Sequence, residues 1–287
     1  MCELPKCLVG DVDILSKDRQ HARFLRILSW NIEGLNDKNL KQRNNFIVDE
    51  IIDDMPHIVC LQEVIRSTQL ELQSSKLELL YDFIGPTEKQ QEDFGYYVMI
   101  LVRKACGIEI LDHVCTEFES SVMKRHYLVI RASIETKDKS MTFMVVNTHL
   151  ESCADYTSSR KEQLKTLWKY VDEFSRDENE CFSILCGDLN LRDKEITELG
   201  GIPSNLSDVW EECGARPEAK LTWDPKRNSN ICVSSFAKGN RFDRMYYSKK
   251  ANLRAVDFEL RGLRRVPGFQ SFPSDHWAII GHFNFEF

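Results

Sequence analysis

Eight short runs of β-branched and aromatic residues recur along the chain, and most of them break off into acids, amides or histidines. They are FLRILSW (24–30), HIVCLQ (57–62), YYVMILVR (96–103), YLVIRASI (127–134), MTFMVVNTHL (141–150), FSILCGDL (182–189), FDRMYYS (242–248) and AIIGHFNF (278–285). Each reads as a strand by pattern and length. Between them, residues 38–54 bring Leu40, Phe46, Ile47 and Ile51 near one helical face, and residues 159–174 carry Leu164, Leu167, Trp168 and Val171 at i, i+3, i+4 and i+7. Interleaved strands and helices predict an α/β fold, and the two strand-rich halves allow two packed sheets of similar build. No Pro/Gly/Ser-rich linker divides residues 24–287, which are expected to form one domain. Residues 1–23 are polar and aperiodic and read as a flexible N-terminal tail.

Composition narrows the class without choosing a partner. A chain of 287 residues that is 42% hydrophobic can bury a sizeable core. No apolar run is long enough to span a bilayer, and the start of the chain has neither signal-peptide nor transit-peptide character, so an intracellular protein with no membrane contact is expected. The ten cysteines contain no C-x-x-C pair, and Cys60 and Cys186 fall in apolar runs where a thiol acts as a small hydrophobe. That argues against a zinc site or a disulfide framework. A net charge of -7 argues against a broad nucleic-acid footprint while leaving room for one local basic groove.

What the strands end in carries the chemistry. FSILCGDLNL leaves Asp188 and Asn190 two residues apart, able to project to one side and to hold and deprotonate a water, although G-D-x-N is also ordinary turn chemistry. LSWNIEG leaves Asn31 and Glu33, HIVCLQEV leaves Gln62 and Glu63, and MTFMVVNTHLES leaves Asn147, His149, Glu151 and Ser152. FPSDHW sets Ser274, Asp275 and His276 just before the last apolar run. One such end is a solvated terminus or a helix cap. Five together predict a site, because α/β sheets bind ligands beyond their strand ends. Carboxylates and amides without a thiolate or a histidine cluster suit Mg²⁺ or Mn²⁺ better than Zn²⁺. A serine nucleophile is not expected, since no G-x-S-x-G elbow accompanies Ser274.

The motifs SWNIEGLN, LQEV, NTHLES, GDLNLRD, RFDRMYY and PSDHW, in that order over residues 27–280, resemble the endonuclease/exonuclease/phosphatase superfamily of Mg²⁺-dependent phosphodiesterases. With GGIPSNLSDVW and TWDPKRNSN added, the set looks most like the 5′-tyrosyl-DNA phosphodiesterase branch. The resemblance implies a four-layered α/β sandwich, two mixed sheets flanked by helices. It implies hydrolysis of the 5′-phosphotyrosyl bond between a DNA end and a topoisomerase II-derived tyrosine or peptide. A 5′-phosphate is left, in double-strand break repair in the nucleus and also the cytoplasm. The implied roles are Glu63 as metal ligand with Glu33 in the metal shell, and Asn31 at the phosphate or nucleophile. Asp188 and Asn190 would activate water, while His149 and His276 bind phosphate oxygens. Asp243 would orient His276, and Asp275 would support the metal side. A phenol leaves with a pKa of roughly 10, so one Mg²⁺, with Mn²⁺ as substitute, is chemically sufficient.

DNA contact would come from Tyr96, Trp223 and Phe242, whose flat rings can stack on unpaired bases of a single-stranded end, together with Ser152, Arg192 and Arg241. Each aromatic has core packing as its alternative. Lys124, Arg125 and the RGLRR cluster (Arg261, Arg264, Arg265) could add a basic rim, with a solvated surface as the competing reading. His57, His113, His126 and His282 are read as structural or solvent-facing, with His113 and His126 in polar loops. A monomer is expected. The same core would also serve a phosphoinositide phosphatase or a poly(A) exonuclease, and a catalytically dead DNA-binding scaffold is the rival of a different class.

Overall fold

In the computed structural model the described residues are 23–136, 139–177, 181–234, 236–249 and 252–286. Residues 1–22, most of the segment expected as a tail, lie outside them. Among the described residues twelve strands form two six-stranded sheets. The first contains β1 (Phe24–Asn31), β2 (Ile58–Val64), β3 (Tyr81–Ile84), β4 (Tyr97–Arg103), β11 (Leu253–Arg261) and β12 (Ala278–Phe285), in the order β11-β12-β1-β2-β4-β3. The second contains β5 (Ile108–Glu117), β6 (His126–Glu135), β7 (Ser140–His149), β8 (Cys181–Asp188), β9 (Leu206–Asp208) and β10 (Asp243–Ser248), in the order β5-β6-β7-β8-β10-β9. Each sheet is mixed, with one parallel pair at its centre, β1/β2 and β7/β8. Parallel neighbours need a crossover. Helix α1 (Leu40–Asp54) supplies it in the first sheet. The helices α2 (Arg66–Gln73), α3 (Leu77–Leu80) and α4 (Glu88–Phe94) follow, and α5 (Thr157–Asp177) links β7 to β8.

The two inner sheet faces meet in one core, in which Ile27, Ile58, Cys60 and Ile100 pack with Ile130, Phe143, Val145, Phe182, Ile184 and Cys186. Phe143 and Phe182 stack at 5.0 Å. On the outside, Ile47 and Ile51 of α1 cover Leu28, Trp30, Val59 and Leu61, while Leu164, Leu167, Trp168 and Val171 of α5 cover Val146, Leu185 and Tyr246. The result is the expected four-layered α/β sandwich. Because β2, β4 and β8 have a layer on both faces, they read as nearly continuous apolar runs, with Ser183 the one polar residue before their polar ends.

The eight expected strands are all present to within two residues at either end. Four others carried no sequence signal strong enough to see. β3 and β9 are only 4 and 3 residues long, β5 is an exposed edge with a bulge between Ile110 and Asp112, and β11 alternates with charged residues on its outer face. His113 and His126 accordingly stand on strands β5 and β6, not in loops. His126 is buried and stacks on Phe94 at 4.0 Å.

Near the polar ends of the strands the sheets are also joined by hydrogen bonds. Gln62 Nε2 donates to Asn147 Oδ1 at 2.8 Å, and Asn147 Nδ2 donates to the carbonyls of Leu61 and Met99 at 2.9 and 2.8 Å. These two amides are structural ties, with both Asn147 polar atoms and the Gln62 NH₂ paired, as most buried polar groups are.

Candidate active site

β8 reaches the site through Gly187, whose φ is 142°, and a Cβ there would lie 1.9 Å from the Thr148 carbonyl oxygen. Only glycine allows that approach of β8 to β7. It sets His149 and Asp188 opposite each other in the parallel pair, with His149 Nε2 3.3 Å from Asp188 Oδ2. From the first sheet, Asn31 Nδ2 donates to Asp188 Oδ2 at 3.0 Å and to Glu63 Oε1 at 3.2 Å. His276 Nε2 approaches the same Asp188 oxygen at 3.7 Å, and its Nδ1 meets Asp243 Oδ2 at 2.8 Å. Glu33, Glu63 and Asn190 all have left-handed backbone, with φ of 52°, 55° and 52°. Such strain in non-glycine residues is concentrated at functional sites.

Ser274 holds this arrangement in place and has no nucleophilic contact. Its hydroxyl donates to the Asn31 carbonyl at 2.6 Å and accepts the His276 N–H at 3.0 Å, while Trp30 Nε1 donates to the His276 carbonyl at 3.0 Å. Arg43, 1% exposed, is a hub that no motif announced. It donates to the carbonyls of Glu33 and Pro273 at 3.0 Å each, and so ties α1 to the loop after β1 and the segment before His276.

The charges are uneven. Burial alone would push the His276 imidazole down, but Asp243, Asp188 and Asp275 lift it well above the ordinary histidine range, so it is a cation. Burial would raise Asp188, yet His276, His149, Asn31 and the Asn190 N–H bring it below the usual carboxylate value. His149 goes the other way: burial and the neighbouring Arg125 guanidinium hold it well below the normal imidazole value. Glu63 is raised to about 7 by burial and then by Asp275, and Asp275 to about 6 by burial, with Glu33 and Asp188 adding repulsion against the pull of His276.

Two buried carboxylates whose pKa values are raised by burial and mutual repulsion are what an oxygen-liganded cation would relieve. Glu63 and Asp275, with no thiolate at hand, fit a hard divalent ion. Asp188, Asp243 and His276 also offer ligand atoms within 4.8 Å of one another. They are already an imidazolium held between two carboxylates, which explains their spacing without an ion.

The Glu33 carboxylate accepts Asn36 Nδ2 at 2.7 Å and Asn230 Nδ2 at 3.0 Å, pairs with Arg43 at 3.4 Å and acts electrostatically on Asp275. Several expectations are corrected. Arg241 is turned inward, 3% of its side chain exposed, making two hydrogen bonds to Asp208 at 2.8 and 2.7 Å; the buried Asp208 needs that countercharge. Arg261 pairs with Asp54 and Glu259, and Arg264 with Glu50, so two of the three RGLRR arginines are bound in ion pairs. Asn190 touches Asp188 through its backbone, and its side-chain amide donates to the Leu150 carbonyl at 3.2 Å.

The remaining residues form two flanks. Trp223 is half-buried, with its ring 5.7 Å from Phe242; Phe242, 9% exposed, lies 6.2 Å from the His276 ring and under the Arg192 guanidinium at 5.4 Å. On the other flank the half-buried Tyr96 lies 6.5 Å from the His149 ring and beneath Arg125 at 5.4 Å, and Arg125 Nη2 donates to Ser152 Oγ at 3.3 Å.

The Endonuclease/Exonuclease/phosphatase family profile matches residues 28–276. A 5′-tyrosyl-DNA phosphodiesterase of Caenorhabditis briggsae is 34% identical over 276 residues, covering 96% of this chain and 74% of the relative. The crystal structure of truncated Caenorhabditis elegans TDP2 superposes with a TM-score of 0.80 at 32% identity, covering 91% of this chain and 97% of that one. That of D. rerio TDP2 complexed with single strand DNA product gives 0.80 at 28% identity, covering 91% and 99%.

Proposed function

The chain belongs to the endonuclease/exonuclease/phosphatase family, and on that premise we propose that it is a Mg²⁺-dependent 5′-tyrosyl-DNA phosphodiesterase. It would free a DNA 5′ end from a topoisomerase II-derived tyrosine or peptide in double-strand break repair, acting as a monomer in the nucleus. The observation that carries the reaction type is the meeting of two imidazoles and the Asn31 amide on one ionised carboxylate, Asp188, with Glu63 on the far side of the same amide.

Asp188 accepts the proton of the attacking water; its ionised state at neutral pH follows from the donors around it. His276, cationic and braced by Asp243, faces the charge that builds on the phosphoryl oxygens. His149 donates beside it. Glu63 and Asp275 would hold the divalent ion, which supplies Lewis-acid stabilisation of phosphoryl and leaving-group oxygens. Trp223 and Phe242 offer flat faces for unpaired bases, and Arg192 a charge for the backbone. The relatives named for tyrosyl-DNA chemistry, and the D. rerio TDP2 structure with a single-stranded DNA product, support this substrate over others of the family.

The test is release of tyrosine from a 5′-tyrosyl oligonucleotide, with and without Mg²⁺, using Asp188→Asn as control and oligo(A) and a phosphoinositide as competitors. Release that requires both metal and Asp188 is the expected result. Cleavage of a competitor instead would keep the family chemistry and reject the substrate; inactivity on all three would favour a binding scaffold.

A further inference from the structure

We propose that Arg125 is a positioning residue that fixes His149 as the neutral tautomer with its proton on Nε2, so that this ring always donates into the cleft. The inference deepens the catalytic reading above and rests on it. Arg125 Nη1 lies 2.9 Å from His149 Nδ1. A guanidinium has donors only and does not lose its charge, so the Nδ1 it meets must present a lone pair. The single proton of a neutral imidazole then sits on Nε2, which lies 3.3 Å from Asp188 Oδ2 on the side of the ring away from Arg125.

The groups around the ring agree. Arg125, His276 and His126 all disfavour a second proton on His149, and only Asp188 favours it, within a fully buried setting. The Tyr96 ring completes the surroundings at 6.5 Å. The other histidine is built the opposite way. His276 Nδ1 faces a carboxylate, Asp243, at 2.8 Å, so that nitrogen donates and the ring becomes a cation. Both Nε2 atoms therefore lie near Asp188 Oδ2, at 3.3 and 3.7 Å, but only one ring brings a charge. Two adjacent imidazoliums would repel each other and drain the basicity of Asp188, while the reversed tautomer of His149 would point a lone pair at a carboxylate and at phosphate oxygens.

Arg125 itself is held as a part with a defined task. It is 4% exposed, and among the described residues no carboxylate lies within ion-pair distance of it. Its other partners are Ser152 Oγ, the Met123 thioether at 3.7 Å and the Tyr96 face. A buried guanidinium without a carboxylate is a poor way to stabilise a fold. Its backbone is pinned from the strand that carries His149: the Arg125 N–H donates to Ser121 Oγ at 2.6 Å, and Ser121 Oγ donates to Glu151 Oε2 at 3.0 Å. Glu151 Oε1 also accepts the N–H groups of Val122 and Met123 at 3.0 and 2.9 Å. Glu151, two residues after His149, thus anchors the loop that delivers the arginine to that ring.

The test is long-range ¹⁵N–¹H NMR of histidine-labelled protein without substrate, with His149 assigned by His149→Gln. The wild-type ring is expected to show a protonated Nε2 and a bare Nδ1. Arg125→Ala should give mixed tautomers and a kcat lower by on the order of 10- to 100-fold, the scale of losing the partner that orients a metal-bound histidine. KM for the tyrosyl oligonucleotide should change little. Arg125→Lys, still able to donate to Nδ1, should recover part of both signals. A wild-type ring carrying its proton on Nδ1, or on both nitrogens, overturns the proposal. So does an Arg125→Ala ring of unchanged tautomer with a defect confined to KM, which would make Arg125 a binding group only. The wild-type and lysine spectra decide even if the alanine variant does not fold, and the ring state is read independently of whether tyrosyl-DNA is the substrate.

Discussion

His149 and His276 both converge on Asp188, yet they differ in charge because one meets an arginine and the other an aspartate. Removing the base, Asp188→Asn, should lower kcat by roughly 10²- to 10⁴-fold while leaving DNA binding nearly intact; residual turnover near wild type in a single-turnover assay would remove Asp188 from that role. His276→Ala should lose about 2.7–4 kcal/mol of transition-state stabilisation, visible in kcat more than in KM. Trp223→Ala, measured for binding in an Asp188→Asn background, should weaken single-stranded DNA by ~1–3 kcal/mol if a base stacks there. An unchanged affinity would return Trp223 to a packing role. Asp188 and Glu63 were visible in the sequence because each stands at the end of an apolar strand, and His276 because it stands directly before the last one. Arg241 looked no different from them there, since a short motif does not say whether a side chain meets the cleft or a buried partner such as Asp208.

Strands deliver these groups, and at Gly187 the approach of one strand to another leaves no room for a side chain. Gly187→Ala would drive a methyl into the Thr148 carbonyl, 1.9 Å away, and force β8 off β7 at the register pair that sets His149 against Asp188. The variant should be destabilised by about 1–3 kcal/mol in urea unfolding, with a fall in kcat larger than the stability loss explains. A variant that is less stable but fully active would mean the register survives the clash. Gly34 is similar at the end of β1, where a Cβ would lie 2.1 Å from the Glu63 carbonyl oxygen. The central strands and the helices α1 and α5 were legible because their apolar periods are long and regular. β5 and β11 were not, because strands at the edge of a sheet can keep charged residues on the open face.

The summed charges make stability depend on pH in two opposed ways. Glu63, raised to about 7, and Asp275, raised to about 6, bind protons more tightly when folded, so their contribution is full below the ordinary carboxylate values and is lost as pH rises through 6 and 7. His57 and His126, held neutral by burial at about 3 and about 4, contribute above the ordinary imidazole value and lose that contribution as pH falls toward those values. Metal-free protein should therefore lose stability on the alkaline side through its site and on the acid side through its buried histidines. Added Mg²⁺, which needs ionised carboxylates, should raise the melting temperature more at about pH 8 than at about pH 6. Glu63→Gln should abolish that dependence in differential scanning; an identical Mg²⁺ shift in the variant would place the ion elsewhere.

Strand and helix identity, the α/β class and the presence of reactive groups at strand ends followed from local pattern, because periodicity and residue type act over a few neighbours. Which ends met, and in what charge state, followed from the packing of two sheets. Asp188 and Asn31 are 157 residues apart in sequence and hydrogen-bonded in space, and His276 and Asp243 are 33 apart. A pKa depends on burial and on charges brought within a few ångströms, so the lowered His149, the cationic His276 and the raised Glu63 exist only once the sandwich has closed around them.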